Sequence, residues 1–89
     1  MSAPDPDDVR RKRLLYLSQH RGMKEADILI GGFAAAQLPR MAGEQLDRYE
    51  RLLDEEDADI LDWLMGRRPV PEDIAANDAF LLLQKFKLV

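Results

Sequence analysis

The sequence predicts an all-α protein, a compact five-helix bundle in a single domain. Three observations carry this. Apolar residues recur at three- and four-residue steps along most of the chain, the period of an amphipathic helix. β-Branched residues are few and no period-two alternation persists, so strands have no signal. Prolines, glycines and clustered acids fall where helices should start and stop, leaving only short connections.

The start, Met1 to Pro6, is acidic and proline-bearing and is expected to be disordered; the helical domain is expected over residues 7–89. The first helix is expected from about Asp7 to His20, its acids suiting a helix N-terminus and Leu14, Tyr16 and Leu17 on or beside its apolar stripe. Arg21-Gly22 ends it, with the glycine taking a left-handed conformation. The second helix spans about Lys24 to Gln37, with Glu25 and Asp27 in the first turn, where carboxylates oppose the helix dipole favourably. Ile30, Phe33 and Ala34 or Gln37 face inward, and Pro39 stops the helix. Gly31-Gly32 costs roughly 1 kcal/mol per glycine relative to alanine. Close packing against another helix, or simple tolerance, accounts for it.

The third helix covers about Gly43 to Glu55, with Leu46, Tyr49, Leu52 and Leu53 facing in. A short fourth helix, about Ala58 to Met65, has Asp57 placed to cap it; Ile60, Leu61, Trp63 and Leu64 wrap most of its circumference. Gly66 and Pro69 end it. The last helix follows Pro71, with Asn77 as a second start or a kink, and carries a stripe of Ala79, Leu82, Leu83 and Phe86.

Composition narrows the function. Eighty-nine residues hold one core and no large substrate cleft. The absence of cysteine removes disulfides, thiolate chemistry, zinc fingers and iron–sulfur sites. The net charge of −4 disfavours nucleic acid as a partner. A basic run, Arg10 to Arg13, and an acidic middle, Glu44 to Asp62, predict opposite signs on different faces, or merely solvated helix surfaces. No targeting segment and no apolar run of about 18 residues is visible, so a cytoplasmic location is expected.

Catalytic sets are missing. His20 is the single histidine and reads as a helix C-terminal cap or a surface residue. Ser18 stands roughly 200° from it on a helix, so the two are not a dyad. No carboxylate group has metal-ligand spacing. A helix-turn-helix reader would need basic residues at the start of the second helix, where Glu25 and Asp27 stand.

A protein-interaction site is the reading that remains. Arg21 offers a planar fork of donors for a carboxylate or carbonyls. Gly22 allows close backbone approach, Met23 an adaptable apolar contact, and Glu25 an acceptor. The candidate partner-binding residues are therefore Arg21, Gly22, Met23, Glu25 and Asp27. The alternative is a plain helix cap with a local Arg21–Glu25 ion pair.

Arg21-Gly22-Met23-Lys24-Glu25 resembles the Arg-Gly-x-x-Glu signature of the succinate dehydrogenase assembly factor 2 family, the flavinylation factors. Leu52-Leu53, then Asp57-Ala58-Asp59, then Trp63-Leu64 resembles that family's second signature, and the match covers about Arg13 to Pro69. The resemblance implies a five-helix bundle and an assembly chaperone, not an enzyme. Such a chaperone binds the flavoprotein subunit of succinate dehydrogenase, and in bacteria that of fumarate reductase. It promotes covalent attachment of FAD to a client histidine, with no cofactor held stably by the chaperone. By resemblance, Arg21, Gly22 and Glu25 lie at the client interface. The rival functions are a free FAD carrier and an antitoxin-like regulatory module.

Overall fold

The computed structural model describes residues 6–87, and among them every regular element is helical. The helices are α1 (Pro6–Gln19), α2 (Lys24–Gln37), α3 (Glu44–Leu53), α4 (Asp57–Leu64), α5 (Glu72–Ala75) and α6 (Asp78–Lys87). A 3-10 turn, Leu38–Arg40, links α2 to α3 around Pro39. None of these helices is long and apolar enough to cross a membrane. Of the expected disordered start, residues 1–5 lie outside the described residues, as do Leu88 and Val89. Pro6 is instead the first residue of α1, a position that suits its fixed φ and missing N–H.

The expected fifth helix is two. Asn77 is buried and separates them: its Oδ1 accepts the Ala79 N–H at 2.9 Å, capping α6, while its Nδ2 donates to the Arg48 carbonyl at 2.9 Å. The single turn of α5 makes a sixth helix beside the five longer ones. The end of α4 follows the glycine rule. Gly66, at φ 72°, donates to Trp63 O, and Arg67 N–H reaches back to Asp62 O at 2.8 Å, a complete Schellman closure.

One core joins the helices. Leu14, Ala26, Ile30, Phe33, Leu46, Tyr49, Leu52, Ile60, Ile74, Phe80 and Leu83 are all buried within it. Phe33 packs against Tyr49 at 5.6 Å between ring centroids and edge-on to Phe86 at 5.8 Å; Trp63 meets Phe80 edge-on at 6.4 Å. A polar pair crosses this apolar interior. Ser18 Oγ donates to Leu14 O at 2.7 Å, so Tyr49 O–H must be the donor in the 2.6 Å contact with Ser18. Burial pushes the Tyr49 phenol up to about 12.

Two expectations about faces are corrected. Leu14 is buried on α1, but Tyr16 is 61% exposed and Leu17 43%. Four residues on from Leu14, the inward position falls to Ser18, and Tyr16 lies roughly 200° away. The basic run and the acidic middle do not form separate faces either. Arg10 reaches Asp47 at 2.6 Å and Glu50 at 2.8 Å, and Arg13 reaches Glu50 at 3.0 Å, so the charges of α1 and α3 neutralise each other. Arg11 turns to the Met41 carbonyl and to Asp8.

Candidate functional site

The loop between α1 and α2 holds the candidate residues, and its shape is set from both sides. His20 stacks on Tyr16 at 4.1 Å, and its Nδ1–H donates to the Tyr16 carbonyl at 2.8 Å, closing the C-terminal end of α1. Arg21 N–H donates to Asp27 Oδ1 at 2.5 Å, tying the loop backbone to the first turn of α2. Asp27 N–H returns to the Met23 carbonyl at 2.8 Å, the first hydrogen bond of that helix.

The Arg21 side chain points inward. Nε donates to Asp57 Oδ1 at 2.5 Å, Nη1 to Leu53 O at 2.7 Å and Nη2 to Glu55 O at 2.7 Å. The side chains of Arg21 and Asp57 keep only 11% and 12% of their exposure. The fork is seated where α3 ends and α4 begins. The last carbonyls of a helix lack intrahelical partners, and a cation there also opposes the helix dipole favourably.

This corrects two readings. The ion pair of Arg21 is not the local one with Glu25 that the alternative reading gave, and Glu25 is exposed. Nor does Asp57 cap α4: it is the first residue of that helix, the N-cap is Glu56 with no side-chain cap bond, and the Asp57 carboxylate belongs to Arg21. Composition gave Asp57 as an acid at a helix start, but its partner lies 36 residues away.

Gly22, Met23 and Glu25 face solvent. Gly22 sits at φ +100°, and a Cβ built on it meets no atom within 4 Å. The glycine therefore serves the backbone turn and leaves open space above it. Met23 is 40% exposed. Ile28, three residues beyond Glu25 and hence on the same side of α2, is 67% exposed. Helical rotation was the signal that separates it from buried Ile30.

Among the described residues no group of three His, Asp or Glu side chains is placed to hold a metal ion. An open depression of about 360 Å³ lies between Asp8, Arg11, Lys12, Leu15 and Pro39. It has no aromatic wall to stack on a flavin ring, and its polar lining is one carboxylate, Asp8, beside two cations, Arg11 and Lys12.

A family model described as flavinator of succinate dehydrogenase matches residues 12–87. The chain is similar to the FAD assembly factor SdhE of Acetobacter pasteurianus, 45% identical over 73 residues that make 82% of this chain and 67% of the relative. It is also similar to mitochondrial succinate dehydrogenase assembly factor 2 of Candida glabrata, 43% identical over 82 residues, and of Saccharomyces cerevisiae, 40% identical over 85 residues. These matches take in 89% and 92% of this chain, but only 54% and 52% of the two fungal relatives, so the chain spans about half their length.

Proposed function

Because the chain belongs to the family of flavinators of succinate dehydrogenase, we propose that it is an assembly chaperone for that enzyme's flavoprotein subunit. It binds the subunit through the α1–α2 loop and promotes covalent attachment of FAD to it. The flavoprotein subunit of fumarate reductase is a second client, and the cytoplasm is the place of action. FAD belongs to the client.

The observation that carries the docking site is the open turn at Gly22. A glycine at positive φ, exposed and with empty space where a side chain would project, allows a partner's backbone to approach closely. Met23 and Ile28 offer apolar contact beside it, and Glu25 a carboxylate. Arg21 is committed to Asp57 and to the Leu53 and Glu55 carbonyls, and His20 Nδ1 is engaged by the Tyr16 carbonyl. The chain's contribution is to hold the client in a reactive arrangement, and correct placement alone accounts for large rate factors.

The test reads covalent flavin on the client by in-gel fluorescence after denaturation. Cells lacking the gene should lose the signal, and the wild-type gene should restore it. Gly22→Arg should not restore it, although the variant folds, because its side chain points into solvent and the strained φ costs only about 1–2 kcal/mol. Full flavinylation with Gly22→Arg would remove the turn from the docking surface. An unchanged signal after deletion, with and without oxygen, would remove flavinylation as the chain's indispensable task.

A further inference from the structure

The two motifs that stand far apart in the sequence meet in one knot of hydrogen bonds. Arg21 brings the fork; the segment that carries Leu53, Glu55 and Asp57 brings all three acceptors. We infer that Asp57 is a positioning residue for client docking: it holds Arg21, and through Arg21 it fixes the loop that the client meets. The inference rests on the docking role proposed above for that loop.

The geometry requires a division of labour. A guanidinium with three acceptors satisfied at 2.5–2.7 Å and 11% exposure has its charge committed inside the molecule. It is a poor hook for a partner and a strong tie for its own backbone. That backbone is pinned a second time, by the Arg21 N–H on Asp27. Gly22 and Met23 follow directly in the chain, so their placement depends on both ties. The carboxylate of Asp57 is equally enclosed and faces Arg21, out of a client's reach. Lysine at position 21 would reach one acceptor as a point charge and could not span three.

The test uses the full-length chain, the flavoprotein subunit and two variants, Asp57→Asn and Asp57→Ala. Binding is measured by titration, and amide hydrogen exchange is followed at Arg21, Asp27 and Tyr49. Asp57→Asn keeps the shape and one acceptor while losing the charge. It should weaken binding about ten-fold, equivalent to about 1.4 kcal/mol, and Asp57→Ala should weaken it more. The amides of Arg21 and Asp27 should exchange faster, with Tyr49 unchanged. If Arg21 itself grips the client, Asp57→Asn releases it, and binding stays equal or tightens; that result overturns the inference. Lost binding with equal deprotection at Tyr49 also overturns it, because the whole bundle has then loosened. If the wild-type chain fails to bind the subunit, the docking role falls and this inference with it, an outcome that involves no variant.

Discussion

Gly31 and Gly32 are neighbours in α2 under different constraints. A Cβ on Gly31 would meet Gln19 Cγ at 3.1 Å and Gln19 Cα at 3.3 Å, so α1 and α2 cross with almost no clearance there. A Cβ on Gly32 would find only the Phe86 ring at 3.7 Å, an ordinary contact. Gly32→Ala should stabilise the fold by up to about 1 kcal/mol of helix propensity and so raise the urea midpoint. Gly31→Ala should lower it, since overpacking costs about 1–3 kcal/mol and outweighs that gain. Equal midpoints for the two would mean that α1 yields freely at Gln19. The doublet's cost was legible in the sequence, with close packing and simple tolerance both open as its reason; the first holds at Gly31 and the second at Gly32. Which glycine faces α1 was not, because the two differ only by one step of rotation. Arg21 shows the same boundary. Its fork of donors is a property of the residue type, but its acceptors lie 32 to 36 residues on and leave no local trace.

Between elements, short polar braces set where helices start and how they are held. Arg48 Nε donates to Asp78 Oδ1 at 2.6 Å, bracing α3 against the start of α6, next to the Asn77 bond to the Arg48 carbonyl. The hydrogen bonds from Arg48 hold the Asp78 carboxyl below its ordinary value. The folded state therefore binds this proton less readily than the unfolded chain does. The brace contributes fully above the ordinary aspartate range, near pH 4, and its contribution is lost as pH falls through the lowered folded value. Both side chains are 41% exposed, so solvent screening keeps the effect small. Stability measured from pH 6 down to 2 should fall less steeply for Asp78→Asn than for wild type; parallel curves would show that the brace carries no proton linkage. Asn77 could be read from sequence as a second helix start, because capping is a local code. Asp57 was misread by the same code, because the carboxylate that could have capped α4 is held by a distant arginine.

At the scale of the molecule, a single core draws on every helix except the exposed outer turns, and its one tryptophan, Trp63, is 7% exposed within it. Urea unfolding followed by Trp63 fluorescence and by far-ultraviolet circular dichroism should give coincident transitions, with a slope of about 1 kcal/mol/M. Separate midpoints would show that α4 and α6 melt apart from the rest. Helical class, element order and most inward residues were legible because period, caps and breakers are written locally. The sorting of charge was not. Arg10 and Arg13 reach Asp47 and Glu50 only after the chain has folded back on itself. The knot at Arg21 has a consequence of the same kind. The loop's shape is discontinuous in sequence, completed by residues more than thirty positions downstream. A peptide copied from the first two helices carries the right letters without the right object. Conversely, under the docking role proposed above, fraying the first turn of α4 should weaken recognition without altering Gly22, Met23 or Glu25 themselves.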